Sequence, residues 1–241
     1  MLVGLAACQH DTSETPGAFY TWDSRKVHCA IDIDTYARND IASVEAGLDR
    51  ARERGEVIEL YAHDPGRTVS WAELEAVLAA IDERDLPYYT YADFVNGAAP
   101  GAGVALSFDD AYIDHWLEGT ELYARYGARL TFFIAYFHKL SPDSRASLHE
   151  LAARGHAIEA HSANHLRAPR YVEDHGLAAY VADEALPSID ALRGEGFAVT
   201  TYAYPFGART RELDRALLDH VAIVRSVAFT WTSIATDPCP D

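Results

Sequence analysis

Two short strings in this chain combine residue types and spacing that could do chemistry: Ser107-Phe108-Asp109-Asp110 and His161-Ser162-Ala163-Asn164-His165. The first places two adjacent carboxylates at the end of an apolar run, Val104-Ala105-Leu106. The second places two imidazoles four residues apart, a spacing that puts both on the same side of a helical turn. One Asp and two His recur as the ligand set of a catalytic divalent metal that keeps a position open for water. Asp110, His161 and His165 are therefore the candidate ligands. Asp109, left over, stands where a general base is needed. The chemistry this implies is metal-assisted hydrolysis.

Those side chains need rigid elements beneath them. Apolar strand-like runs alternate with helix-like segments along the whole chain. Strands are predicted over 27–33, 57–61, 87–91, 104–108, 130–136, 157–160, 197–203 and 221–227, and helices over 41–54, 70–84, 112–126, 142–154, 176–193 and 211–219. Ser70, with Glu73 three residues on, has the pattern of a capping box. A repeated β-α order implies a mainly parallel sheet or barrel, in which chemistry gathers at the C-terminal ends of strands. His63, Asp109, Asp110, His161 and the turn Pro205-Phe206-Gly207 all fall just after predicted strands.

Composition sets the outer limits. A chain of 241 residues, 49% of them hydrophobic, suffices for one substantial α/β domain. No apolar run is long enough to cross a bilayer. A formal net charge of −17 argues against nucleic acid as a partner and is compatible with neutral or cationic polymers. The three cysteines form no CxxC pair, so neither a zinc ribbon nor a thioredoxin-type site is indicated. Leu5-Ala6-Ala7-Cys8 matches a bacterial lipobox, although the basic and apolar stretches that should precede it are missing. Residues 1–8 are read as the remnant of a lipoprotein signal, and a lipid on Cys8 as the only link to a membrane. Residues 9–26, polar and carrying Pro16 and Gly17, read as a tether, and 27–241 as the catalytic domain. The expected location is the bacterial cell envelope, periplasmic or surface-exposed.

Taken together, the motifs resemble the polysaccharide deacetylases, the NodB-homology group of carbohydrate esterase family four. That family's TFDDG corresponds to Ser107-Phe108-Asp109-Asp110-Ala111, its H-[S/T]-x-x-H to His161 through His165, and its R-x-P-Y-G to Ala203-Tyr204-Pro205-Phe206-Gly207. Leu130-Thr131-Phe132-Phe133-Ile134 resembles the strand between the first two. The resemblance runs from about Val104 to Val227, roughly half of the chain. Two further family motifs normally follow these and are missing from the C-terminal end. Upstream, however, Gly55-Glu56-Val57-Ile58-Glu59-Leu60-Tyr61-Ala62-His63-Asp64 resembles the motif ending in His-Asp, and Cys29-Ala30-Ile31-Asp32-Ile33-Asp34 resembles the strand ending in Asp-x-x-Asp-Trp. The implied fold is a distorted (β/α) barrel of the polysaccharide deacetylase type, circularly permuted so that the last two motifs come first.

What the resemblance implies is hydrolysis of an acetyl group, most often an N-acetyl on a glycan. The metal is zinc in the first instance, with cobalt or nickel as substitutes. Asp109 takes the role of base and His63 that of acid. Asp34 orients His63, with Asp32 the next choice. The Phe206 backbone N–H faces the oxyanion, and Tyr204, Pro205 and Phe206 border the acetyl pocket. Two departures stand out. Ala203 occupies the place of the arginine that pairs with the base, with Arg209 and Arg167 as replacements, and Thr35 or Tyr36 stands where a tryptophan is usual. The alternatives are an O-acetyl esterase acting on acetylated xylan and an inactive glycan-binding lipoprotein. Cys29 and Cys239 would meet near the junction of the old termini and could pair in an oxidising compartment. His156 reads as structural, and His10, His28, His115, His149, His175 and His220 read as surface or packing residues.

Overall fold

The computed structural model describes residues 12–37, 39–228 and 237–240. Cys8 and the lipobox lie outside the described residues. Among the described residues there are eight strands: β1 (Phe19–Tyr20), β2 (Val27–Asp32), β3 (Val57–Ala62), β4 (Gly103–Asp110), β5 (Thr131–Ile134), β6 (Ala157–Ala160), β7 (Thr201–Ala203) and β8 (Ile223–Val227). Strands β2 to β8 are all parallel and follow one another around a ring, which closes through β8 against β2 and β3 against β4. The molecule is thus the α/β barrel that the β-α alternation implies. β2 touches β3 only near its end, at Ile31–Leu60 and Asp32–Tyr61. That leaves the first half of β3 open on one side, and β1 fills it antiparallel, with Phe19 opposite Ile58 and Tyr20 opposite Val57.

Strand alternation divides the core into two shells. Along β4, Val104, Leu106 and Phe108 pack outward with helix residues such as Leu74, Leu78 and Trp116. Ala105 points into the barrel, where it meets Tyr20, Val57, Tyr91, Phe133, Ala203 and Ile223. The same period of two puts Asp109 on the inner side at the C-terminal end of β4. Asp110 would face outward by that rule. Its φ of 84° breaks the alternation and lets both carboxylates reach the mouth.

The helices begin and end where local chemistry says they should. Ile41–Arg54 starts at Asp40, whose side chain accepts from the Ser43 N–H, and stops at Gly55 in the left-handed region, φ 71°. Trp71–Asp82 carries both bonds of the Ser70–Glu73 capping box. Elsewhere sequence and structure differ for identifiable reasons. Residues 87–91 are not a strand: Tyr88 makes a single bridge to Val104, and a Thr90–Asp93 capping box starts the helix Tyr91–Val95. The 112–126 helix divides at Gly119, whose Cα packs so close to Tyr123 that a Cβ would lie 2.2 Å from the phenol oxygen. The 176–193 helix runs on through Leu177–Tyr180, a π-helical turn Val181–Ala185 and Leu186–Gly194, with right-handed helical backbone at each junction. Pro187, with no N–H to offer the preceding turn, follows directly on the π-helical one. A helix over Ala168–His175, with a proline in its first turn, was not expected.

The polar tether expected over 9–26 is not free chain from residue 12 onward. Thr12–Glu14 forms a 3-10 turn, and Ala18, Phe19 and Tyr20 are buried. The guanidinium of Arg50 lies 3.7 Å over the Phe19 ring. Three consecutive apolar residues inside an otherwise polar segment gain more by packing on β3 than by staying solvated. At the other end, a Cys29–Cys239 disulfide with its Cα atoms 6.2 Å apart ties 237–240 to β2. Arg209 Nη1 donates to the carbonyls of Asp237 and Pro238, and the Arg211 N–H donates to the Asp237 carboxylate.

Candidate active site

The C-terminal mouth of the barrel brings the sequence-predicted side chains together. Asp110 Oδ1 lies 3.1 Å from His165 Nε2 and 3.6 Å from His161 Nε2. His161 is buried, and its Nδ1 donates to the Ala203 carbonyl at 2.9 Å, which leaves Nε2 as the lone-pair nitrogen facing Asp110. Burial lowers the His161 pKa to about 4, keeping the ring neutral as a ligand must be. For Asp110, burial opposes ionisation, but the His165 hydrogen bond and the charges of the two histidines outweigh it and bring the pKa to about 2. The two histidines do not share a helical turn. They sit on a loop in which Ser162 (φ 69°) and His165 (φ 56°) both adopt left-handed backbone. Their rings nevertheless approach to 4.9 Å.

This trio fits a divalent cation. Asp110 Oδ1 is buried facing both imidazole Nε2 atoms, and the three ligand atoms lie within 4.8 Å of one another. One carboxylate oxygen and two imidazole nitrogens suit zinc, cobalt or nickel better than magnesium or calcium.

Asp109 is buried, with Oδ2 4.0 Å from His161 Nε2 and Oδ1 in contact with Nη2 of Arg225. Arg225, on β8, is the functional residue that sequence reasoning missed. It is fully buried, with the Tyr61 and Phe133 rings 5.1 and 4.7 Å from its guanidinium carbon. It lies directly across from Ala203 in the β7–β8 register, so it fills the place that the alanine leaves empty. Neither expected replacement does this. Arg209 is paired with Asp214, and Arg167 lies over the Phe206 ring at 4.6 Å. The signal available in the sequence was a lone cation inside Ile223-Val224-Arg225-Ser226-Val227, on the same strand face as Ile223, which points into the barrel.

Across the mouth, at the end of β3, His63 Nδ1 is 2.5 Å from Asp34 Oδ2. Asp34 also accepts from Thr68 Oγ1 at 2.7 Å and from the His63 N–H at 3.3 Å. Trp116 Nε1 donates to the His63 carbonyl, so the turn is fixed on both sides. Burial disfavours a charged His63, but the Asp34 hydrogen bond and the Asp109, Asp34 and Asp110 charges prevail and raise its pKa to about 9. Asp32 stands behind, accepting from the Asp34 N–H and from Tyr61 OH. Burial, with Asp34 beside it, lifts the Asp32 pKa to about 6. Asp32, Asp34 and His63 also lie close enough to hold a cation, but each Asp is already engaged by protein donors, and the arrangement is that of an oriented imidazole. Tyr36, exposed, places its hydroxyl 3.3 Å from His63 Nδ1 where the family's tryptophan was missing.

The Pro205–Gly207 turn divides in its roles. Phe206 has left-handed backbone, φ 60°, and a ring 52% exposed and 4.7 Å from that of His165. Pro205 is buried beneath it. Tyr204 is fully buried with its hydroxyl donating to Asp214, so its side chain supports the turn from below and does not border the mouth. Several other histidines keep the structural reading. His156 Nδ1 accepts from the Leu130 N–H, His28 pairs with Glu59 on the barrel floor, and His115 pairs with Asp64.

Comparison with known proteins agrees with this geometry. The family model described as polysaccharide deacetylase matches residues 96–221, a span holding Asp109, Asp110, His161, His165 and the Phe206 turn. No curated protein matches the chain in sequence. Among solved structures, a polysaccharide deacetylase from Bacillus cereus superposes with a TM-score of 0.58 at 14% identity, over 70% of this chain and 57% of that one. IcaB from Ammonifex degensii gives 0.58 at 14% identity, over 77% and 91% of the two chains. A de-N-acetylase from Aggregatibacter actinomycetemcomitans gives 0.57 at 14% identity, over 74% and 96%. At these identities the likeness is one of fold. The chain spans a little over half the length of the Bacillus cereus protein. With the family model covering more than half of its residues, the chain belongs to the polysaccharide deacetylase family.

Proposed function

We propose that this protein is a metal-dependent hydrolase that removes acetyl groups, N-acetyl in the first instance, from a glycan. The observation that carries this reading is the opposition across one mouth of Asp109 beside the Asp110/His161/His165 set and the Asp34-backed His63. Asp110, His161 and His165 would hold a divalent cation, zinc in the first instance, whose chemistry there would be Lewis acidity toward the acetyl carbonyl and a water pKa of ~7. Asp109, with one oxygen held by Arg225, accepts the water proton on the other. The Phe206 N–H donates to the oxyanion as it forms. His63, its Nδ1 anchored by Asp34, donates from Nε2 to the departing nitrogen. The C–N bond breaks, acetate leaves, and the sugar keeps a free amine.

The order of motifs is part of the proposal. Asp34 and His63 precede the matched span, yet β3 pairs directly with β4, so the acid and the base arise from neighbouring strands. We read this as a circular permutation of the family pattern. A lipid on Cys8 and an envelope location complete the proposal.

The test is metal content and acetate release, measured together on N-acetylglucosamine oligomers and on acetylated xylan. Stoichiometric zinc with acetate from the first substrate supports the reading. Acetate from xylan alone replaces it with an O-acetyl esterase. Bound glycan without acetate release points to a binding protein. Loss of activity in His63→Ala with metal retained is expected; unchanged activity would remove His63 and the permutation with it.

A further inference from the structure

We infer that Glu184 is a positioning residue for the metal set, clamping the two-histidine loop in the shape that brings His165 beside His161. The inference rests on the metal reading above. The three residues between the histidines all bond to Glu184. Ser162 Oγ donates to Oε2 at 2.6 Å, the Asn164 N–H donates to the same oxygen at 2.9 Å, and Asn164 Nδ2 donates to Oε1 at 2.7 Å. The Ala163 N–H donates to the Glu184 main-chain carbonyl at 2.9 Å. Ser162 Oγ in turn accepts from the His165 N–H at 2.9 Å, which carries the clamp through to the second ligand.

The loop needs such a clamp. Ser162 and His165 both hold left-handed backbone, which non-glycine residues adopt at a cost and keep only where the surroundings enforce it. Glu184 is 1% exposed, and a buried carboxylate is expensive unless every oxygen is used. It lies at the i+4 position between Tyr180 and Ser188, both buried, on the core face of a segment where an apolar side chain would be the ordinary choice. The turn that carries it, Val181–Ala185, is π-helical, with the Leu186 N–H reaching back to Val181. Turns of that kind recur at functional sites. The carboxylate spends its acceptors on the loop, so it orients ligands without joining them.

The test uses the full chain stripped of metal and titrated with Co²⁺, read by its visible absorption, for wild type, Glu184→Gln and Glu184→Ala. Outer partners of metal ligands commonly govern affinity by about 10–100-fold. Glu184→Ala is expected to weaken Co²⁺ binding by about that factor and to change the absorption bands. Glu184→Gln is expected to stay close to wild type, because its oxygen accepts from Ser162 and the Asn164 N–H while the Asn164 amide turns over to accept from its NH₂. Amide exchange of residues 161–167 in the metal-free protein provides the second readout, and it should speed up in Glu184→Ala only. Wild-type affinity, bands and exchange in Glu184→Ala would overturn the inference. Should Glu184→Ala not fold, Asn164→Ala carries the test, with partial loss of affinity and faster exchange expected and no change overturning it. If wild type takes up no Co²⁺, the metal reading fails, and the exchange comparison still decides whether Glu184 holds the loop.

Discussion

Asp109 and Arg225 form a buried ion pair whose removal leaves one charge stranded, a change that costs about 3–5 kcal/mol. Arg225→Met should therefore lower both the unfolding midpoint and kcat. Because Ala203 sits opposite Arg225 across β7 and β8, the double variant Ala203→Arg/Arg225→Ala should recover part of the lost rate. Acetate release by both variants checks this, and a double variant no better than Arg225→Met would show that the strand of origin matters. His63 makes a second prediction. As an acid it must be protonated, so with a pKa raised to about 9, kcat/KM should fall as pH rises through that value. A bound cation nearby pulls the fall to lower pH, and Asp34→Asn, which removes the main support for the charged ring, should pull it lower still. A pH–rate profile with the same alkaline limb in both proteins would contradict the role assigned to Asp34.

At the level of elements, local signals were read well and long-range ones were not. The helix over Ile41–Arg54 and the strand over Ala157–Ala160 needed only periodicity and end signals, and both lie where the pattern puts them. Asp109-Asp110 and His161/His165 were legible because their chemistry is compressed into short strings. His63 and Asp34 were legible only through resemblance. Arg225 was not, since its partner is 116 residues away and meets it only when the ring closes. The 176–193 segment is the helix its pattern implies, but the π-helical turn inside it and the burial of Glu184 come from packing that no local pattern announces. One element carries its own pH signature. His156, at the entry to β6, is held neutral: burial, with Arg154 and Arg129 nearby, lowers its pKa to about 4. Its folded value lies below its unfolded one, so its contribution to stability is present above pH ~6.5 and is lost as pH falls toward 4. Urea midpoints should drop between pH 7 and pH 5, and drop less in His156→Gln.

The whole molecule is fastened at its seam. The Cys29–Cys239 bond spans 210 residues of sequence, and chain-entropy arguments assign a loop of that size about 5 kcal/mol of stabilisation. Reduction, or Cys239→Ser, should lower the melting temperature of the full chain; an unchanged melting curve would mean that hydrogen bonds from residues such as Arg25, Arg209 and Arg211 hold 237–240 without the disulfide.

Ring closure also has a consequence in time. On the proposed roles, the strands leave the ribosome in the order acid (Asp34 and His63), base (Asp109), metal ligands and finally Arg225, the cation beside the base. β8 both completes the ring against β2 and delivers Arg225. On the same roles, a chain lacking β8 would carry every proposed reacting group except the counter-charge of its base. On the proposed roles, the full rate would therefore wait for β8, the strand that both closes the ring and supplies Arg225.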